Sequence, residues 1–279
     1  MPVEELSRVP GLAALYGKAA AGLLPGRRAG GEELPDTELV LRAVATDRPR
    51  LAEYARVCGF RVTDALPPTY PHILAFPLAL LLMTRPEFPF PVAGVVHLAN
   101  RTVLRRELDA AQPLDLSVRA EGLRPHPRGR QLDLVAVASV TGTVVWRGVS
   151  TYLHRSGGSA GPREETTAPA PSAVWRVGAE IGPAYAAVSG DRNPIHLSNL
   201  AARAFGFRRR IAHGMWTKAR CLAQLGTRLP AAPYAVAVEF QAPLLLPATV
   251  GFSQAGAEEF AVHDTRTGKP HLSGKVTRE

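Results

Sequence analysis

Tyr185-Ala-Ala-Val-Ser-Gly-Asp-Arg-Asn-Pro-Ile-His196, answered downstream by Ile211-Ala-His-Gly-Met-Trp216, puts a carboxylate (Asp191), an amide (Asn193) and an imidazole (His196) within six residues of one another. Tyr185 to Gly190 can close a short helix, with Gly190 as its stop. Pro194 excludes Asn193 from the helical region, so the backbone must turn there. A turn of that kind aims Asp191 and His196 at one point, which neither a straight helix nor a strand would do. Two groups able to exchange a proton with one water molecule make an acid–base site. The plainer alternative is a capped turn, because Asp and Asn beside Pro and Gly often bond only to their own backbone.

Working outward, Tyr54-Ala-Arg-Val-Cys-Gly59 repeats Tyr185-Ala-Ala-Val-Ser-Gly190 at an offset of 131 residues. Each copy is followed by an apolar segment of helical character, His72 to Met83 in the first and His213 to Leu225 in the second. Strand-like runs come next: Val95–Leu104, Leu114–Ala120, Leu132–Val140 and Val144–Leu153, then Tyr234–Phe240, Thr249–Ser253, Glu259–His263 and His271–Thr277. Leu39–Ala45 reads as a further strand ahead of the first copy. A helix followed by antiparallel strands, twice over, is an α+β pattern and not alternating βαβ. Between the halves, residues 156–172 are almost all small, polar or Pro, with too little apolar surface to pack. The expected organisation is an N-terminal extension (1–36, a short helix and a loop), a first half (37–155), a linker (156–172) and a second half (173–279).

The whole block Ser189-Gly190-Asp191-Arg192-Asn193-Pro194-Ile195-His196, with His213-Gly214 some two dozen residues on, resembles the signature of the MaoC-like (R)-specific enoyl-thioester hydratases, also called hydratase 2. The resemblance spans residues 37 to 279 and implies a double hotdog, two antiparallel sheets each wrapped around a central helix. Pro67-Pro-Thr-Tyr-Pro71 ahead of an apolar helix brings it closer to the two-domain actinobacterial 3-hydroxyacyl-thioester dehydratases of fatty-acid metabolism. It implies reversible hydration of trans-2-enoyl thioesters, equivalently dehydration of (3R)-3-hydroxyacyl thioesters, on coenzyme A or acyl carrier protein. Asp191 and His196 would then hold the water as acid and base. Asn193 would orient the site or the substrate, or be a turn residue only. Gly214, near the amino end of its helix, would offer a backbone N–H to the thioester oxygen, or be a helix-start glycine only. The first copy has no Asp-x-Asn-Pro-x-His, and just 12 residues separate Gly59 from Pro71 where 24 separate Gly190 from Gly214. That half would shape the acyl pocket, and the second would do the chemistry.

His213 is left as structural, since the sequence offers it no second partner, and Tyr185 and Trp216 read as core. Arg208-Arg-Arg210 could meet the phosphates of coenzyme A or of a carrier's pantetheine arm, or be a solvated face. Other enzyme templates are missing: there is no Gly-rich phosphate loop, zinc motif or nucleophile elbow. Water addition beside a thioester needs no cofactor and no metal.

At 279 residues, 46% hydrophobic and 20% charged, the chain can bury a sizeable core. A net charge of +9 suits coenzyme A phosphates, an acidic carrier protein or nucleic acid. No nucleic-acid-binding motif accompanies it, and nucleic acid is not expected. Two cysteines, no signal-peptide pattern and no membrane-length apolar run point to a cytoplasmic protein. A double hotdog supplies within one chain the pairing that single-hotdog members obtain by dimerising, so a homodimer of the whole chain is left open. Two rival functions are a hotdog acyl-thioesterase and a non-catalytic acyl-thioester-binding subunit.

Overall fold

A computed structural model describes residues 1–21, 32–92, 95–156, 169–256 and 258–279. Most of the expected linker therefore lies outside the described residues. Eleven strands carry the fold: β1 (Val3–Leu6), β2 (Glu38–Val44), β3 (Val95–Leu104), β4 (Leu114–His126), β5 (Gly129–Val140), β6 (Thr143–Arg155), β7 (Ala173–Val177), β8 (Tyr234–Phe240), β9 (Ala248–Ala255), β10 (Glu259–Asp264) and β11 (Pro270–Arg278). The helices are α1 (Leu12–Ala21), α2 (Arg48–Cys58), α3 (Tyr70–Met83), α4 (Ile181–Ser189), α5 (Pro194–Leu197), α6 (Asn199–Ala204) and α7 (Gly214–Leu225). No helix among the described residues is long and apolar enough to cross a membrane.

The strand order is β1-β2-β4-β5-β6-β3-β8-β11-β10-β9-β7. The run β2-β4-β5-β6-β3 in the first half and β7-β9-β10-β11-β8 in the second follow the same connectivity, each with its helix (α3, α7) inserted after the first strand. This is a double hotdog. The two sheets expected from the duplication are, however, one continuous surface. β3 and β8 are antiparallel neighbours, from Ala99 opposite Glu239 to Leu104 opposite Tyr234, and join the halves edge to edge. Pairing the two inner edges removes exposed strand edges from the middle of the molecule.

Alternation fixes which face of the sheet is covered. Leu114, Leu116, Val118 and Ala120 on β4, and Tyr234, Val236 and Val238 on β8, are buried at every second position. α3 is apolar on nearly all sides, as a helix enclosed by a curved sheet must be. α7 is the exception, since it buries Lys218 completely. The Lys218 Nζ is held by Asn100 Oδ1 (2.5 Å), Thr102 Oγ1 (3.0 Å) and the Val236 carbonyl (3.0 Å). These acceptors sit on β3 and β8, so a polar knot ties the second helix to the seam. A buried amine is tolerated only when bonded in this way.

The repeated Tyr-to-Gly segments end α2 and α4. Gly59 and Gly190 both adopt the left-handed conformation, at φ 81° and 82°, that closes a helix without a Cβ penalty. The two helices pack together, and the rings of Tyr54 and Tyr185 lie 6.1 Å apart. The extension is more than a helix and a loop. β1 adds a strand parallel to β2 at the sheet edge, supported by a salt bridge between Glu5 and Arg42.

Candidate active site

The turn after Gly190 is built from side chains bonding to nearby backbone. The Asp191 N–H donates to Ser189 Oγ (3.1 Å), and the Asn193 N–H donates to Asp191 Oδ1 (3.2 Å). Asn193 adopts φ −55°, ψ 125° and caps α5, its Oδ1 accepting from the Ile195 N–H at 3.3 Å. The capped-turn reading of Asn193 is thus real. Its amide nitrogen has no protein partner among the described residues, and the side chain borders the cavity described next.

Asp191, Asn193, His196, His213 and Gly214 all line one cavity of about 730 Å³. Its apolar lining comes from Ile73, Phe76, Leu80 and Met83 of α3 together with Phe207, Met215, Phe240 and Leu244 of the second half. Asp191, His196 and His213 each bring a polar side-chain atom within 4.8 Å of the other two. His196 is buried, and its Nδ1–H donates to the Ile211 carbonyl at 2.8 Å. That bond assigns the tautomer: Nε2 carries a lone pair and is free to accept a proton. Burial keeps the ring neutral by lowering its pKa from the ordinary histidine value.

His213 has the partners its sequence context did not reveal. Its ring stacks on His196 with centroids 3.6 Å apart, and its Nε2–H donates to the Asp191 carbonyl at 2.9 Å. Burial, with His196 alongside, pushes its pKa down to about 3. Asp191 Oδ2 lies 3.9 Å from the same nitrogen. Two imidazoles and a carboxylate are a donor set that transition metals accept. Here, though, the two rings are stacked face to face at an interplanar angle of 26°, instead of converging on one point as tetrahedral ligands do.

Gly214 is the first residue of α7, so its N–H has no acceptor inside the helix. A Cβ there would stand 2.9 Å from the Phe240 ring. Trp216 is core, its Nε1–H donating to the Val57 carbonyl at 3.0 Å. Tyr185 is buried as expected, yet it also borders the cavity and lies 4.8 Å from the His213 ring. Arg208 and Arg209 are exposed, whereas Arg210 donates to the Leu197 carbonyl at 3.4 Å.

Tyr16 is a site residue that no local pattern marks. From α1 its hydroxyl donates to the Gly190 carbonyl (3.0 Å) and accepts from the Arg192 N–H (2.6 Å), holding the peptide groups on either side of Asp191. A tyrosine in an Ala-rich segment 170 or more residues away carries no local signal of such a partner. Tyr16→Phe is expected to lower kcat about tenfold with KM nearly unchanged, because a loosened turn misplaces the carboxylate. Steady-state kinetics beside a thermal melt would check this.

Residues 176–271 match the model of the MaoC like domain. The chain is 38% identical to 3-hydroxyacyl-thioester dehydratase X of Mycobacterium tuberculosis over 268 residues, covering 93% of this chain and 95% of that protein. This chain belongs to the MaoC-like family. The crystal structure of HtdX from M. tuberculosis superposes with a TM-score of 0.78 at 37% identity, over 86% of this chain and 98% of that one. A 64-residue segment, 22% of this chain and 40% of the relative, is 48% identical to 3-hydroxybutyryl-CoA dehydratase of Methylorubrum extorquens.

The buried neutral histidines of this MaoC-like cavity have a consequence for stability. His213 falls to about 3 and His72 to about 4, each chiefly through burial. Unfolded, both would titrate near 6.5. Their contribution is complete above that pH and is lost as the pH drops toward the folded values, because the unfolded chain binds the extra protons. Each such ring withdraws about 1.4 kcal/mol per pH unit within its window. Melting temperature is expected to fall steadily from pH 6.5 to 4.5, and a flat profile there would mean that the rings are not held neutral.

Proposed function

We propose that this chain catalyses the reversible hydration of trans-2-enoyl thioesters, equivalently the dehydration of (3R)-3-hydroxyacyl thioesters, with Asp191 and His196 as the groups that handle water. The single observation carrying this reading is that the unprotonated Nε2 of His196 and the carboxylate of Asp191 share one cavity with the free N–H of Gly214. In the hydration direction a water bonded to both side chains gives one proton to His196 Nε2. Its oxygen bonds to C3, the C2–C3 π pair moves toward the carbonyl, and the thioester oxygen gains charge opposite the Gly214 N–H. The proton held by His196 is then passed to C2 as the thioester carbonyl re-forms, so one water molecule is consumed, the imidazole is neutral again and the thioester remains whole.

The division of labour rests on where the proton-transfer groups lie, since both halves contribute apolar lining. The first half offers Ile73, Phe76, Leu80 and Met83 to an acyl chain, while the second half offers the proton-transfer groups. The boundaries 37–155 and 173–279 correspond to those two tasks. Both 3-hydroxyacyl-thioester dehydratase X and 3-hydroxybutyryl-CoA dehydratase are named for this reaction, which supports the assignment. A homodimer of the double hotdog is compatible with it and is measurable by light scattering. Incubation with a trans-2-enoyl-CoA tests the proposal: enoyl absorbance is expected to fall without release of free thiol. Release of free thiol would assign a thioesterase instead, and no change at all would favour a binding subunit.

A further inference from the structure

We propose that the arginine-rich segment from Arg192 to Arg210 is a docking surface for a small acidic carrier protein that presents the acyl chain on a pantetheine arm. The inference rests on the hydratase reading for the identity of the cargo, while the docking itself is measurable without turnover. Its first support is the distribution of charge. From Arg192 to Val238 the chain contains no Asp or Glu, and its first nineteen residues hold Arg192, Arg203, Arg208, Arg209 and Arg210. None of these five makes an ion pair among the described residues, whereas nine other arginines (42, 48, 56, 85, 101, 105, 119, 124 and 147) do. The excess positive charge therefore includes a local field left without internal compensation, the arrangement that steers an anionic partner.

The second support is position. Arg192, Phe205 and Phe207 line the catalytic cavity, so the segment forms part of its rim. Arg203 Nε donates to the Arg208 carbonyl at 3.4 Å, which brings the two residues onto one surface.

The third support separates a protein partner from the phosphates of coenzyme A. Leu200 is 79% exposed and lies three residues before Arg203 on α6, on the same face of the helix. A phosphate site gathers donors around one point, commonly half-buried ones. Here the exposed guanidinium groups of Arg192, Arg203, Arg208 and Arg209 spread along a helix and a loop that also present a protruding leucine, whereas Arg210 is half-buried and donates to backbone. Apolar surface beside spread charge is the pattern of a protein interface.

Two measurements test the proposal, both on the intact chain and on an Arg203→Glu/Arg208→Glu/Arg209→Glu variant. The first is binding of a fluorescently labelled bacterial acyl carrier protein in its pantetheinylated form, followed by anisotropy. Binding to the wild type is expected to weaken as salt rises from about 25 to about 300 mM, and about 100-fold on charge reversal. The second compares turnover of one trans-2-enoyl chain carried by pantetheine alone, by coenzyme A and by the carrier. The variant is expected to lose about 100-fold in kcat/KM on the carrier substrate, to change less than about threefold on coenzyme A and to stay unchanged on pantetheine. Equal losses on carrier and coenzyme A would make the segment a phosphate site, and no loss on either would make it a solvated face. Both results overturn the proposal, as does a wild type that fails to bind the carrier. Absence of turnover on all three substrates, with carrier binding intact and charge-dependent, would overturn the hydratase reading and leave the docking surface standing.

Discussion

Alanine in place of His196, or asparagine in place of Asp191, is expected to lower kcat for enoyl-thioester hydration by about 10²–10⁴-fold, the span associated with positioned proton transfer. The two variants fail for different reasons. His196→Ala removes the Nε2 lone pair, and it also leaves the Ile211 carbonyl without the Nδ1–H that now meets it at 2.8 Å. Some loss of stability accompanies it, on the order of 1–3 kcal/mol for a buried acceptor left unpaired. Asp191→Asn is the cleaner probe. An asparagine Oδ1 can still accept from the Asn193 N–H, and the residue's own N–H and carbonyl keep their bonds to Ser189 and His213. The turn therefore survives while the charge disappears. Stopped-time assays of enoyl absorbance, paired with thermal melts, separate catalysis from folding. A rate close to wild type in Asp191→Asn would remove the carboxylate from the mechanism.

The sequence is informative wherever the controlling interaction is local. Gly190 ends its helix because only a left-handed residue closes the last turn, and the glycine announces that wherever it stands. Pro194 restricts Asn193 without reference to anything distant, so the bend beside Asp191 is written in adjacent letters. The same holds for β3 and β8, whose predicted spans, Val95–Leu104 and Tyr234–Phe240, coincide with the observed strands because alternation and β-branched content act residue by residue.

What escaped depends on partners far away in the chain. β1 is four residues, two of them glutamate, and becomes a strand only because the edge of β2 is there to pair with. β7 is five residues with a buried tryptophan and valine, too short to separate from the linker by pattern alone. The β3–β8 seam pairs residues more than 120 positions apart, and no periodicity reports it. Lys218 stands in the sequence as one polar residue in an apolar helical segment, whereas its four-carbon stem reaches a cluster of acceptors on two strands. Tyr16 and His213 belong to the same class. Each supports Asp191 through backbone atoms, and backbone partners leave no mark on residue type.

Gly214→Ala is the second substitution expected to have a large effect, lowering kcat by about 10²–10³-fold, the loss typical of removing one oxyanion donor. An alanine at the first position of a helix is ordinarily harmless, so the expected damage comes from geometry and not from helix propensity. The added Cβ would stand 2.9–3.0 Å from three atoms of the Phe240 ring, closer than carbon atoms pack. That ring is itself confined, lying 4.9 Å from the ring of His97. Relief must come either from Phe240 turning further into the cavity or from the start of α7 retreating, and a retreat carries the Gly214 N–H away from the thioester oxygen. A shift near 1 Å at a positioned group can cost 10²-fold in rate. Shrinking the opposing ring distinguishes this account from a simple packing defect: Phe240→Ala in the Gly214→Ala background is expected to restore most of the lost kcat, because the helix start can return to its place. If the double variant is as slow as the single one, the glycine is required for a reason other than the approach of Phe240. If Gly214→Ala retains full activity, the added Cβ is accommodated without displacing the N–H, and the close approach of Phe240 does not hold the start of α7 in place.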